Sequence, residues 1–264
     1  MTKIGFIGAG NMGSALAKAT SLIEDTELYI YDKDEAKAAA LSKEIGAVAS
    51  TNKKIAEVCD YIFMAVKPNI VKAAADEIAE ILNAREDYAI ISMAAGVSLA
   101  SLDAAFPTSP VIRIMPNTPV GVGRGMTLYC KNEKVSDALS DGFVRIMAKS
   151  GEIDEIPERL IDAASAVSGC GPAFVYMFIE ALADGGVECG LPRDKALAYA
   201  AETLIGAAET LKASGRHPGE LKDAVCSPGG STIAGVHALE SGAFRATAQG
   251  AVVAAYKKTL TLGK

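Results

Sequence analysis

Along the first 157 positions, short apolar runs alternate with longer stretches whose apolar residues recur at helical spacing. Lys3–Ile7 is an apolar run that stops at a glycine turn, and Asn11–Ile23 is rich in Ala and Leu at helical intervals. Glu27–Tyr31 reads as a strand and Lys33–Ile45 as a helix. Asp60–Val66 reads as a buried strand and Asn69–Leu82 as a helix. Tyr88–Ser92 and Val111–Met115 are further strands, with a short helix near Ser98–Ala105 between them. Met126–Cys130 adds a strand and Val135–Met147 a helix. Strand–helix alternation predicts an α/β domain with a parallel sheet covered on both faces.

The pattern then changes. Leu160–Val167, Ala173–Cys189, Arg193–Ser214, Gly219–Cys226 and the chain from Ser231 onward all read as Ala/Leu-rich helices, with no strand among them. Pro192 suits a first helical turn, and Asp194 favours the same end through the helix dipole. Gly151–Pro157 reads as the join. The expected organisation is therefore a dinucleotide-binding domain over 1–157 and an all-helical domain over 158–264. Several of these helices are apolar on more than one face, which calls for packing all round. A second subunit is the simplest source of it.

Composition narrows the function. A net charge of −6 and the lack of a Lys/Arg block disfavour nucleic acid as a partner. The five cysteines form no CxxC pair, and the two histidines, His217 and His237, are far apart, so no metal site is expected. Unpaired thiols fit a reducing compartment and read as small buried apolar residues. No leader is apparent after Met1, and the apolar stretches 88–97 and 251–256 are too short to span a bilayer. A cytoplasmic protein with no membrane partner is expected.

The strongest local signal is Gly8-Ala9-Gly10-Asn11-Met12-Gly13, placed between a strand and a helix. Gly8 permits the tight turn, Gly10 lets the backbone approach a pyrophosphate, and Gly13 lets the helix pack on the strand. The helix start offers free N–H groups to the phosphates. Asp32 follows Gly13 by about 20 positions, where an acid accepts bonds from the ribose hydroxyls of NAD. The other reading is that Asp32 starts the next helix. A carboxylate there repels a 2′-phosphate, while Lys33 beside it partly offsets that, so NADH is expected to be preferred and NADPH accepted. Ala65-Val66-Lys67-Pro68, Ala94-Ala95-Gly96 and Met115-Pro116-Asn117-Thr118-Pro119 each follow a strand. They fall at the sheet edge where such ligands bind, and their small residues leave room for a nicotinamide ring.

Cys226-Ser227-Pro228-Gly229-Gly230-Ser231-Thr232-Ile233 lies between two helices. Its hydroxyls and exposed backbone N–H groups suit a carboxylate site; an ordinary Ser/Thr-capped connection is the other reading. Ser168-Gly169-Cys170-Gly171-Pro172 permits close backbone approach to a cofactor, a substrate or another helix. Ala173–Cys189 contains no lysine, and neither histidine reads as catalytic. With hydroxyls such as Thr232 or water as the remaining proton donors, an imine substrate fits better than a ketone.

Taken together, these segments resemble the pyrroline-5-carboxylate reductases over nearly the whole chain. The resemblance rests on Ile7–Gly13, Ala65–Pro68, Arg113–Pro119, Ser168–Ala173, Ala181–Val187 and Gly190–Arg193. The most specific block runs from His217-Pro218-Gly219 through Leu221-Lys222-Asp223 to Ser227–Ile233 and Leu239-Glu240. It implies a Rossmann domain followed by a helical dimerisation and substrate domain, a homodimer that assembles further into rings, and NADH or NADPH as cofactor. It implies reduction of 1-pyrroline-5-carboxylate to L-proline. It also implies that Ser227, Gly229, Gly230, Ser231 and Thr232 hold the substrate carboxylate, that Thr232 lies near the ring nitrogen, and that Asn52 contacts the adenosine ribose. The rivals are another cyclic-imine reductase, a β-hydroxyacid dehydrogenase, which needs the lysine that Ala173–Cys189 lacks, and a non-catalytic dinucleotide sensor.

Overall fold

The computed structural model describes residues 1–261; the last three positions of the expected helical domain, 262–264, lie outside it. The chain is α/β, a Rossmann-type sheet followed by helices. Eight strands, β1 (Thr2–Ile7), β2 (Thr26–Tyr31), β3 (Val48–Ala49), β4 (Tyr61–Met64), β5 (Ala89–Ser92), β6 (Val111–Met115), β7 (Gly125–Lys131) and β8 (Gly151–Glu155), form one sheet in the order 3-2-1-4-5-6-7-8. Interleaved with them are α1 (Asn11–Thr20), α2 (Glu35–Ile45), α3 (Asn52–Val58), α4 (Val71–Leu82), α5 (Leu99–Ala105) and α6 (Asp137–Met147). Helices α7 (Glu158–Ser168), α8 (Gly171–Glu188), α9 (Arg193–Ser214), α10 (Pro218–Ala224), α11 (Ser231–Ser241) and α12 (Phe244–Thr259) follow.

Central strands buried on both faces are mostly apolar, as parallel strands under two helical layers tend to be, with Ser92 on β5 and Arg113 on β6 as the buried polar exceptions. Successive side chains part to opposite sides. Phe6, Phe63, Ile91 and Ile112 join one core with Leu16, Leu41 and Phe143, while Ile62, Ile90 and Val111 join the other with Ile55, Ile78 and Leu102. Phe6 and Phe63 stack at 4.4 Å between ring centroids. Helix starts follow local chemistry: Asp34, Thr51, Ser98 and Ser136 cap α2, α3, α5 and α6 with their side chains.

The structure corrects four expectations. The sheet is not wholly parallel: β7 pairs antiparallel with β6, and β8 then runs parallel to β7. The segment read as the join, Gly151–Pro157, contributes the edge strand β8, whose only apolar residue, Ile153, packs against the core. The first helix stops at Thr20 rather than Ile23, where the Ser21 hydroxyl donates to Lys18 O. Finally, the stretch Glu158–Glu188, which holds α7 and α8 with a turn at Gly169-Cys170 between them, is by length and composition alone long and apolar enough to cross a membrane, although no such stretch stood out in the sequence. Gly169, Gly171 and Pro172 interrupt its pattern there.

The chain forms two compact units, Met1–Cys170 with the end from Tyr256, and Gly171–Ala255. In the second, α8 and α9 pack through a small core of Ala183, Ala196 and Ala200, with Ile179 and Val187 beside it. Val175, Tyr176, Met177, Leu182, Tyr199 and Ile205 are exposed. An alanine core is small for a unit of this size, and an exposed apolar surface of this kind marks an interaction face.

Candidate active site

The glycine turn is built by steric necessity. Gly8 adopts φ +113°, and a Cβ there would sit 2.4 Å from Ala65 O; one at Gly13 would sit 2.5 Å from Gly8 O. Both are closed to side chains. Gly10 differs: a Cβ would meet nothing within 4 Å, because this residue faces open space. Gly10 is also the N-cap of α1, with no side-chain cap, so the first N–H groups of that helix are left for a ligand. Asn11 and Met12 form its first turn; Asn11 is exposed and Met12 packs partly on the core.

A cavity of about 560 Å³ opens here, at the carboxyl ends of β1, β2 and β4. In this fold family, that end of the sheet binds ligands. The cavity brings together Gly8, Gly10, Asp32 and Lys33 with Asn52, Ala65, Val66 and Lys67. Pro68 opens a short 3-10 turn (Pro68–Ile70) beside it. Ala94 is buried after β5 and is not one of the lining residues; nor is Asn117.

Asp32 does not cap α2; Asp34 does. Instead the Asp32 carboxylate accepts the Ala9 N–H at 2.7 Å and the Asp34 N–H at 2.9 Å, pinning the glycine turn to the end of β2. Each oxygen retains a lone pair for a further donor. Asn52 is 4% exposed; its Nδ2 donates to Glu77 Oε2 at 2.8 Å, and its Oδ1 is buried with no partner. An orphaned buried acceptor at a cavity wall is what a ribose hydroxyl would satisfy. With the uncapped helix start and the open Gly10, these residues fit a dinucleotide.

Lys37, Asn69, Ile70, Ala73, Ala74 and Glu77 also line the cavity, and the sequence reading missed them. Residues 69, 70, 73, 74 and 77 fall at helical spacing, which marks one face but not what that face meets.

Asn117 has another position. Its Nδ2 donates to Ser168 O at 2.9 Å and its Oδ1 accepts the Met126 N–H at 2.8 Å, so the loop after β6 is tied to the end of α7 and the start of β7. Arg113 on β6 reinforces the same joint. It is buried, and its guanidinium pairs with Glu158 at 2.8 Å and Asp162 at 3.4 Å, both on α7.

In the second unit, Ser227–Gly230 forms a tight turn in which the Gly230 N–H donates to Ser227 O at 3.0 Å, with Gly229 at φ +69°. Gly230 is the N-cap of α11, again without a side-chain bond. Ser231 and Thr232 occupy the first turn of α11 and are exposed. The Ser/Thr-capped alternative therefore does not describe this turn. His217 serves as the N-cap of α10, its Nδ1 accepting the Gly219 N–H at 3.1 Å, and His237 lies along an open groove on α11.

All five cysteines are free. Cys59 and Cys130 are buried, and burial pushes each thiol up to about 12, so neither is a nucleophile. The expectation of buried thiols fails at Cys189, which is exposed, and only partly describes Cys170 and Cys226.

Comparison with known proteins places this geometry in a family. Residues 158–262 match the family model for pyrroline-5-carboxylate reductase dimerisation, and residues 3–96 match the model for coenzyme F420-dependent NADP oxidoreductases. The chain is 40% identical to the pyrroline-5-carboxylate reductase of Escherichia coli (strain K12), over 99% of this chain and 98% of that one. It is 38% identical to the Pisum sativum enzyme of the same name, over 98% and 95%. Its fold superimposes on the NADP-bound crystal structure of Plasmodium falciparum pyrroline carboxylate reductase with a TM-score of 0.89 and 35% identity, covering 100% of this chain and 98% of that one. By sequence over its full length and by fold, this chain belongs to the pyrroline-5-carboxylate reductase family.

Proposed function

We propose that the crevice behind the glycine turn holds the reduced dinucleotide and that Ser227–Thr232 holds the carboxylate of the substrate. The reaction is the family's: NAD(P)H-dependent reduction of 1-pyrroline-5-carboxylate to L-proline, the last step of proline biosynthesis. The cofactor, when bound, supplies the hydride. The protein does the rest. N–H groups of Gly10, Asn11, Met12 and Gly13 at the start of α1 receive the pyrophosphate, with Lys67 as a cation at the rim. Asp32 and Asn52 accept from the ribose hydroxyls, and Lys33 tolerates a 2′-phosphate. Ala65, Val66, Pro68 and Ala94 shape the crevice wall, and Asn117 holds the loop after β6.

In the second unit, Ser227, Gly229, Gly230 and Ser231 anchor the substrate carboxylate through hydroxyls and free backbone N–H groups. Thr232 Oγ1 bonds the ring nitrogen and retains its proton. Anchoring by the carboxylate orients the C=N carbon, so most of the rate comes from proximity. The observation that carries this reading is the glycine-capped start of α11, free of any side-chain cap, inside the region that matches the family's dimerisation model. That region pairs two copies, and dimers assemble into a ring. The protein works as a soluble cytoplasmic enzyme, its apolar helical run covered by the partner subunit rather than by lipid.

The test is to mix purified protein with 1-pyrroline-5-carboxylate and NADH or NADPH, following nicotinamide absorbance and proline. Both cofactors are expected to be oxidised, NADH with the higher kcat/KM. A folded protein that binds NADH but oxidises it with no cyclic imine would be a sensor. Thr232→Ala is expected to lower kcat by about a hundredfold, the usual scale for a positioned proton donor, with an unchanged melting temperature. Unchanged turnover would remove Thr232 from the mechanism.

A further inference from the structure

The Asn52–Glu77 pair has a consequence for cofactor choice beyond simple contact. An asparagine amide presents two different faces, a donor and an acceptor, and its partners decide which way round it sits. Here the Glu77 carboxylate accepts from Nδ2. The reverse orientation would set Oδ1 against a carboxylate, acceptor against acceptor. Glu77 therefore holds the amide with its buried, unpartnered Oδ1 as the group left for a ligand. Asn52, Glu77 and Asp32 all line the cavity at the glycine turn.

We infer that Glu77 is a specificity-determining positioning residue: by fixing the Asn52 amide, it presents Oδ1 as an acceptor in the same cavity as the Asp32 carboxylate and so favours a free ribose hydroxyl over a 2′-phosphate. A ribose hydroxyl brings a donor that Asn52 Oδ1 and Asp32 can accept. A 2′-phosphate brings only acceptors and negative charge to the same groups. Lys33 and Lys37 on the cavity wall are the cations that keep the phosphate tolerated; Lys37 is half engaged with Asp34 at 3.8 Å. The inference rests on the dinucleotide reading of this cavity and adds to it the residue that sets the preference.

Glu77→Gln tests it. The side chain is exposed and the exchange is nearly isosteric, so the fold is retained. Glutamine can accept from Nδ2 or donate to Oδ1, which frees the Asn52 amide to turn its N–H groups toward a phosphate. Binding of NAD⁺ and NADP⁺ is measured by calorimetry without substrate, so the readout does not depend on turnover. The Kd ratio is expected to move toward NADP⁺ by about tenfold, the scale of one charge-assisted hydrogen bond. Removing a negative charge alone would also help NADP⁺, so the same exchange is made in an Asn52→Ala background. There the shift is expected to shrink to about twofold, because the amide through which Glu77 acts is gone. An unchanged ratio in the single variant, or an equal shift in both backgrounds, overturns the inference. Wild-type protein that binds neither dinucleotide would instead overturn the cofactor reading on which it rests, and a protein that binds both but reduces no imine would leave Glu77's part intact.

Discussion

Gly10→Ala is expected to weaken NADH binding by about a hundredfold, or ~2.7 kcal/mol, while the melting temperature stays within a few degrees of the wild type. Nothing in the protein opposes the new methyl group, since its nearest heavy atom lies beyond 4 Å. The backbone at Gly10, with φ −71° and ψ −179°, is equally open to alanine. Alanine is the poorer N-cap, but it also restricts the unfolded chain, and these opposing effects are each about 1 kcal/mol or less. The methyl group instead enters the cavity that Gly10 lines, where the proposed site has the pyrophosphate approach the backbone. Gly8→Ala and Gly13→Ala should behave in the opposite way. Their Cβ atoms would press on backbone oxygens at 2.4 and 2.5 Å, so the fold itself suffers. Calorimetric Kd values and thermal melts of the three variants separate the two effects. Unchanged NADH affinity in Gly10→Ala would mean that the phosphates bind elsewhere.

Arg113→Met is expected to cost about 3 kcal/mol of folding stability, toward the lower end for breaking a buried ion pair because its partners keep some contact with water. The Arg113 side chain is 5% exposed, whereas Glu158 and Asp162 are 33% and 34% exposed. Without the guanidinium, two carboxylates one turn apart on α7 are left beside each other with no cation between them. Glu158 Oε1 also accepts the Leu99 N–H at 2.6 Å, so the disturbance reaches the start of α5. The melting temperature should fall by roughly 6–12 °C for a chain of this size. Lysine is not expected to restore it, since one ammonium cannot present the planar fork that meets both acids. A loss below about 1 kcal/mol would show that methionine packs well enough to replace the pair.

Most of the sheet was legible because buried parallel strands advertise themselves. Tyr61–Met64 is apolar residue after residue, Ala89–Ile91 runs apolar up to Ser92, and Val111–Ile114 is broken only by Arg113. Three features escaped, each for its own reason. Strand β8, Gly-Glu-Ile-Asp-Glu, lies at the sheet edge, and the charges that protect an edge also hide it from a hydrophobicity reading. Helix α3 is short and polar, with two lysines and a glutamate in seven residues, and buries only Asn52, Ile55 and Ala56. The antiparallel turn into β7 did leave a trace. The nine residues between β6 and β7, 116–124, are fewer than a parallel crossover needs.

The sequence by itself determined the glycine turn, the acid at the end of β2, the change from alternation to helices after position 157, and the signature Ser227–Ile233, because each is a local pattern whose chemistry is carried by neighbouring residues. Tertiary structure alone decided the partners. Asp32 holds Ala9 across 23 positions, Asn52 donates to Glu77 across 25, Asn117 reaches Ser168 across 51, and Arg113 reaches Glu158 across 45. A hydrogen bond needs atoms within about 3 Å of each other, and only the folded sheet brings residues so far apart in the chain to that distance.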